Sequence, residues 1–252
     1  MLLHCPRRPR LHLWNTTRVM IPYEGMAVMR LPVDLCVRPR TLLVLAVLVL
    51  ASCETAYYAA MEKLGYPKRD LLVSRVEQAR DSQQAAKEQF QSALERFWAV
   101  VHVHGGELEA KYNELSAELE RSEARAQTVH QRIAAVEEVA EALFKEWEAE
   151  LAQYTHETLR RASARQLAQT RQRYTPLLRT MKRAEAQMAP VLAAFHDQVL
   201  FLKHNLNARA IAAIRQEGVA VETEITGLIR AMEAAIAEAD AFLKTLDQEQ
   251  GS

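Results

Sequence analysis

Few side chains of this 252-residue chain are of a type and spacing that could do chemistry, and each group argues for a different kind. His102 and His104 could offer a metal two imidazoles, but residues two apart on a helix point about 200° from one another. A helix end running into Gly105-Gly106 accounts for that pair more simply. His130, His156, His196 and His204 stand alone, and no Ser/His/Asp or paired-carboxylate arrangement can be inferred from helices so uniformly charged. Arg160, Arg161, Arg165, Arg171, Arg173, Arg179, Lys182 and Arg183 could form an anion-binding face for nucleic acid, anionic lipid or lipopolysaccharide. Their spacing scatters them round a helix, so neutralising acidic neighbours is the stronger reading, and a nucleic-acid partner is not expected. Lys203, His204, Asn205, Asn207 and Arg209 set polar, turn-favouring residues inside a long apolar pattern. They read as a structural turn, with a partner-contact tip as the functional alternative.

The remaining reactive groups are three thiols, Cys5, Cys36 and Cys53. An apolar run from Leu42 to Leu50 is preceded by Arg30, Arg38 and Arg40 and followed by Ala51-Ser52-Cys53. Basic, apolar, small is the order of a secretory signal. Leu50-Ala51-Ser52-Cys53 resembles a bacterial lipobox, which implies a diacylglycerol thioether on Cys53, cleavage before it and acylation of the new amino terminus. As a membrane span the run is too short, because spanning needs about 20 apolar residues and Glu54 arrives sooner. Signal peptides usually run about 15–30 residues, so a start at Met26 or Met29 fits better than Met1. The expected organisation is a non-native or disordered lead at 1–28, a signal at 29–52 and a single helical domain at 53–252. The partners it implies are a membrane, reached through the lipid, and a protein partner or a second copy. Glu54 after the cysteine leans toward the outer membrane, with the chain facing the periplasm. Cys5 and Cys36 fall in the part to be removed, which leaves no mature thiol for a disulfide, metal site or nucleophile.

Chemistry of other kinds is argued against by what is scarce. Seven Gly and eight Pro occur, and five of the Pro lie before residue 53. The chain has no Walker-type loop, GxGxxG or GxSxG. No enzymatic activity, cofactor or small-molecule substrate is therefore expected.

The elements that must position these residues are helices, because apolar residues recur at alternating steps of three and four. The first seam is Leu72, Val76, Ala79, Gln83, Ala86, Phe90, Ala93, Phe97 and Val100, with Gln83 its one polar member. A second runs from Leu108 through Tyr112, Leu115, Leu119, Ser122, Ala126, Val129, Ile133, Val136, Ala140 and Leu143 to Trp147 and Leu151. A joint with an N-cap at Thr155 is expected next. The third seam, Leu167 to Leu202, contains Pro176 and Pro190, which should kink or divide it. The fourth, from Ile211 through Gly218, Val221, Ile225, Leu228 and Met232 to Leu246, is out of phase with the third. That demands a break between about 203 and 210, with Asn205 suited to the left-handed C′ position past a helix end and Asn207 to an N-cap. Short joints make antiparallel neighbours. The fold expected is all-α: an elongated antiparallel bundle or coiled coil of about four long helices after a short one at 55–64.

Formal neutrality, 32 basic against 32 acidic residues, hides segregation. Residues 1–52 carry seven Arg against Glu24 and Asp34, a net of +5, leaving −5 for the rest. Within the rest, 107–150 is net −7, 157–209 net +7 and 210–252 net −5. An acidic, basic, acidic order favours pairing between successive helices.

Cys53 to Gly65, Lys68-Arg69-Asp70, Ala79-Arg80-Asp81, Ala86 to Phe90, Glu107 to Tyr112, Val139 to Phe144, Glu146-Trp147-Glu148 and Leu202 to Ile211 together resemble an uncharacterised bacterial lipoprotein family, defined as a domain of unknown function. The resemblance covers essentially all of 53–250. It implies the lipid anchor and carries no activity.

Overall fold

A computed structural model of the chain describes residues 67–102, 108–205 and 208–250, with side chains described for all of these except 208–210, 249 and 250. The chain divides into two units, Met1–Ala51 and Ser52–Ser252, and every described residue belongs to the second. Leu50, Ala51, Ser52, Cys53 and the short helix expected at 55–64 lie outside the described residues, as do His104 and Asn207 and the side chain of Arg209.

The described residues form four helices and no strand: α1 (Lys68–His102), α2 (Leu108–Leu151), α3 (Glu157–His204) and α4 (Ala208–Gln250). At 1.5 Å per residue they are about 50 to 70 Å long. Each of α1–α2, α2–α3, α3–α4 and α4–α1 is a packed pair, so the helices close a ring around one interior. Cross-helix bonds fix the directions. Lys68 at the start of α1 meets Glu146 near the end of α2, and Arg96 near the end of α1 meets Glu114 near the start of α2. Arg69 donates to the Leu246 carbonyl at 3.3 Å, and Arg215 donates to the Val101 carbonyl at 2.7 Å, which runs α4 antiparallel to α1. The result is an up-down-up-down four-helix bundle.

The interior is built from the heptad seams. Leu72, Val76, Ala79, Ala86, Phe90, Ala93, Phe97 and Val100 of α1 are all buried, as are Leu177, Met181, Ala184, Met188, Val191 and Phe195 of α3 and Ile211 to Leu246 of the α4 seam. Full burial of a Leu, Ile, Phe or Met side chain is worth about 1.5–3 kcal/mol, so this interior is what holds the helices together. On α2 the buried face is wider than the seam: Glu118, Val139 and Phe144 join it, whereas Tyr112, Ala126, Trp147 and Leu151 are only half-buried. A ring helix touches two neighbours, and positions flanking the seam face the second one.

Local detail differs from expectation at two caps, and the prolines resolve one of two alternatives. Of a kink or a division at Pro176 and Pro190, the division does not occur: α3 continues through both. Each removes one donor from the ladder, leaving the carbonyls of Gln172 and Ala186 without their usual partner. Its N-cap is His156, in extended conformation with no side-chain cap bond, rather than Thr155. Asn205 does end α3, but at φ −129° and not in the left-handed region, with its amide Nδ2 donating to the Phe201 carbonyl at 3.0 Å. The chain thereby satisfies one terminal carbonyl by a side chain in place of a Schellman turn.

Candidate functional site

Four places in the bundle put polar chemistry where a sequence reading had flagged it or should have. The first is inside. Gln83 is fully buried, and among the described residues neither its Oε1 nor its Nε2 has a hydrogen-bond partner. An unsatisfied buried polar group costs about 1–3 kcal/mol, so this residue works against the core surrounding it. A few turns along, Glu118 is buried but satisfied: Gln89 Nε2 donates to it at 2.7 Å and Arg121 pairs with it at 2.6 Å. Ser122 beside it donates to the Glu118 carbonyl at 2.8 Å.

The second place is a groove of about 470 Å³ between α2 and α3, lined by Glu137, Glu141, Phe144, Glu148, Arg171 and Tyr174 among others. The Phe144 and Tyr174 rings meet edge to face, with centroids 5.4 Å apart, and the Arg171 guanidinium lies 5.1 Å over Phe144 while bonded to Glu148. That bond holds the Glu148 carboxyl below its ordinary range. Desolvation, with Glu137 and Glu141 adding to it, pushes the Tyr174 hydroxyl well above its usual pKa. A cation already fills the aromatic face, so the groove is a satisfied interhelical seam.

The third is the basic segment. The structure engages much of it internally: Arg160 and Arg161 with Glu157, Arg171 with Glu148 and Lys182 with Glu137, while Arg173 also has a partner. The hydrogen bond from Arg160 lowers the pKa of Glu157. The α2–α3 pairs Arg171–Glu148 and Lys182–Glu137 carry out the pairing that the segment charges predicted, whereas the His130–Glu185 contact sets its acid on α3 and its imidazole on α2. The α4 pairs do not follow it. Arg80–Asp240 and Lys87–Glu233 tie α4 to α1, a nearly neutral helix. Arg165, Arg179 and Arg183 remain exposed, without a partner among the described residues. Of the segment's cations, Arg173 lines a groove of about 480 Å³ between α3 and α4, with Gln169, Gln172, Pro176, Glu238 and Phe242 among others.

The fourth place is the bundle end formed by the α1 and α3 C-termini. His102 stacks on Trp98, with ring centroids 5.0 Å apart and planes at 18°, so it is packed rather than frayed. Lys203 and His204 are exposed there, with Leu200 and Phe201 each 43% exposed just before them. Among the described residues no group of three or more His, Cys, Asp or Glu could hold a metal, and no helix is long and apolar enough to cross a membrane. The residue that sequence patterning undervalued is Gly218. A Cβ built there would lie 2.6 Å from Phe97 Cε1 and 3.0 Å from Trp98 Cη2, so its lack of a side chain lets two aromatic rings of α1 approach α4.

A family model described as protein of unknown function, DUF2959, matches residues 57–246, nearly the whole bundle and four residues short of reaching Cys53. No curated protein matches the chain.

Proposed function

The chain belongs to the DUF2959 family of proteins of unknown function, and we propose that it is a non-enzymatic, lipid-anchored envelope protein whose helical bundle spaces or scaffolds partners at the periplasmic face of a membrane, the outer membrane in preference to the inner. The observation that carries this reading is Cys53 itself, placed after a basic, then apolar, then small stretch and fifteen residues before the first residue of α1. Two or three acyl chains on one residue give stable membrane attachment where a single chain does not. A four-helix ring whose interior is filled by its own side chains is a stiff element suited to holding other molecules at a set distance. The Cys-to-bundle order puts that element directly on the anchor.

The test is the intact mass of the native protein extracted from membranes. Expected is a chain beginning at Cys53 and carrying a diacylglyceryl group and an amide-linked acyl chain, with labelled palmitate incorporation lost in Cys53→Ser. A full-length, unmodified, soluble product in the native host sinks the reading. The alternative, a nucleic-acid- or anionic-lipid-associated coiled coil using residues 160–183, has less to support it, because five of the eight cations already have partners within the chain.

A further inference from the structure

At the end of the bundle where α1 begins and α4 finishes, the α2–α3 hairpin reaches furthest among the described residues. Lys68, the first residue of α1, pairs with Glu146, and α2 runs on past that level to Leu151. Between α3 and α4, Gln169 and Gln172 lie beside Thr245 and Phe242. That puts Gln250, the end of α4, near the level of Ala164 and leaves Glu157 to Ser163 of α3 beyond it. Trp147 Nε1 donates to Ser163 Oγ at 2.8 Å and ties the two helices at the base of this projection. From Glu148 to Ala162 every residue is exposed except Leu151, which is half-buried.

The projection holds two large side chains with apolar surface in water, Tyr154 at 42% and Leu159 at 55% exposure. Arg160, Arg161 and Arg165 follow on α3. Glu157 is shared between Arg160 and Arg161, and Arg165 has no partner among the described residues. Of the tip's acids, Glu148 is bonded to Arg171 and Glu150 is left without a cation among the described residues. Asp70 and Asp247 are exposed at the same end but set back on α1 and α4. The tip thus keeps a small positive excess beside a leucine and an aromatic ring with a polar end, a mixture favoured where lipid headgroups meet acyl chains.

We propose that this tip, Gln153 to Arg165, is a second membrane contact: Tyr154 and Leu159 enter the phospholipid headgroup layer, the arginines meet lipid phosphates, and the bundle stands upright. The inference rests on the lipid anchor proposed above. Fifteen residues separate Cys53 from Lys68 and reach at most about 50 Å. The 35 residues of α1 are themselves about 50 Å long. An inverted bundle, standing on the exposed Leu200 and Phe201 of the opposite end, would draw that connecting chain out to its limit, which conformational entropy opposes. The hairpin tip needs no such extension. Two apolar side chains and three arginines make a weak contact for a free protein, but a short tether holds the effective concentration in the millimolar range. Acyl chains on one residue fix a point; the hairpin fixes a direction.

The experiment is nitroxide accessibility on the acylated chain in mixed phosphatidylethanolamine–phosphatidylglycerol vesicles, with acylation read from the intact mass. Cleavage before Cys53 removes Cys5 and Cys36, so one introduced cysteine is the single free thiol. Thr158→Cys, Ala186→Cys and Lys203→Cys put labels at exposed positions near the start, middle and end of α3. Expected is a label at 158 relaxed by oxygen and shielded from a water-soluble nickel chelate, with the other two in water. Arg161→Gln with Arg165→Gln should lower the ratio of docked to undocked chains about tenfold or more, and high salt should weaken docking as well. Leu159→Gln should weaken it without altering the salt dependence. Unfolding midpoints within about 2 °C of the parent show that these exposed substitutions leave the bundle intact. An acylated chain whose label at 158 stays in water overturns the contact and leaves the anchor standing. Equal shielding at 186 or 203 means a bundle lying flat or inverted and overturns it too, as does docking indifferent to both salt and the arginine substitutions. A chain shown by its mass to be unacylated removes anchor and contact together.

Discussion

Two glycines on α4 carry opposite forecasts for the same substitution. Gly218 and Gly227 both lie within a continuous helix, where Gly costs about 0.8–1 kcal/mol relative to Ala. At Gly227 a methyl group meets nothing within 4 Å, so Gly227→Ala should gain that amount in full. For a domain of this size it corresponds to a rise of about 2–4 °C in the unfolding midpoint. At Gly218 the methyl would sit 2.6 Å from Phe97 Cε1, about 1 Å inside the usual carbon contact distance. Phe97 is only 1% exposed and is held edge to face by Trp98, at 5.3 Å, and by Phe195, at 6.3 Å, so it has little room to retreat. Overpacking of this kind costs about 1–3 kcal/mol. After the propensity gain, Gly218→Ala should be neutral to about 2 kcal/mol destabilising, and the two variants should differ by about 1–3 kcal/mol. Thermal and urea unfolding of both, followed by circular dichroism, measures the difference. Equal stabilisation by the two substitutions would falsify the claim that Gly218 is there for the α1 aromatic rings.

Other consequences can be measured on the same protein. Gln83→Leu replaces an amide with two unsatisfied atoms by an apolar side chain of similar size, and should stabilise the bundle by about 2 kcal/mol; a lower midpoint would mean that the amide has a bound water or other partner in solution. Because burial raises the Tyr174 pKa, the folded state holds its proton while the unfolded chain loses it above pH 10, so the stability it contributes falls as pH rises from there. Tyr174→Phe should flatten that alkaline decline, and an unchanged slope refutes the assignment. Glu148 and Glu157 have lowered pKa values, so their contribution is present above the ordinary value of 4.5 and disappears as pH falls through the folded-state values. Glu148→Gln with Glu157→Gln should shallow the acid limb of the stability curve by lowering stability at neutral pH, and leave it little changed at low pH, where the parent carboxyls are protonated as well. Exchanging Lys182 and Glu137 as a charge-swapped pair should recover most of what either single reversal loses, with a coupling energy of no more than about 1 kcal/mol that fades in high salt.

The seams could be read from the sequence because a side chain's burial in a long helix is set mostly by its phase. Every seam position assigned to α1 and α4 is buried, Gln83 and Gly218 included. What phase does not carry is which neighbour a flanking position will face. Val139 and Phe144 are buried because α2 lies between α1 and α3, and Glu118 is buried because Gln89 and Arg121 arrive to satisfy it. Segment charge foretold the α2–α3 ion pairs, which join a net −7 stretch to a net +7 one. It missed Arg80–Asp240 and Lys87–Glu233, since α1 has no net sign to announce its role and ring closure is a property of the whole topology. The N-cap at His156 was illegible for a different reason: Thr155 has the right chemistry, but α3 begins one residue later and takes no side-chain cap at all.

Ring closure also sets an order on assembly. The first helix packs against the second, which begins six residues after it ends, and against the last, with Arg69 and the Leu246 carbonyl separated by 177 residues. A chain delivered from its amino terminus can pair α1, α2 and α3 as they arrive, because those contacts are near neighbours in sequence. It cannot finish. Until the final 43 residues of α4 are free to dock, the flanks of α1 and α3 that they cover stay open, and Phe97 has no Gly218 to lie against. The protein is thus committed late: a product truncated anywhere in its last helix keeps most of its length, but presents an apolar trough to whatever surrounds it.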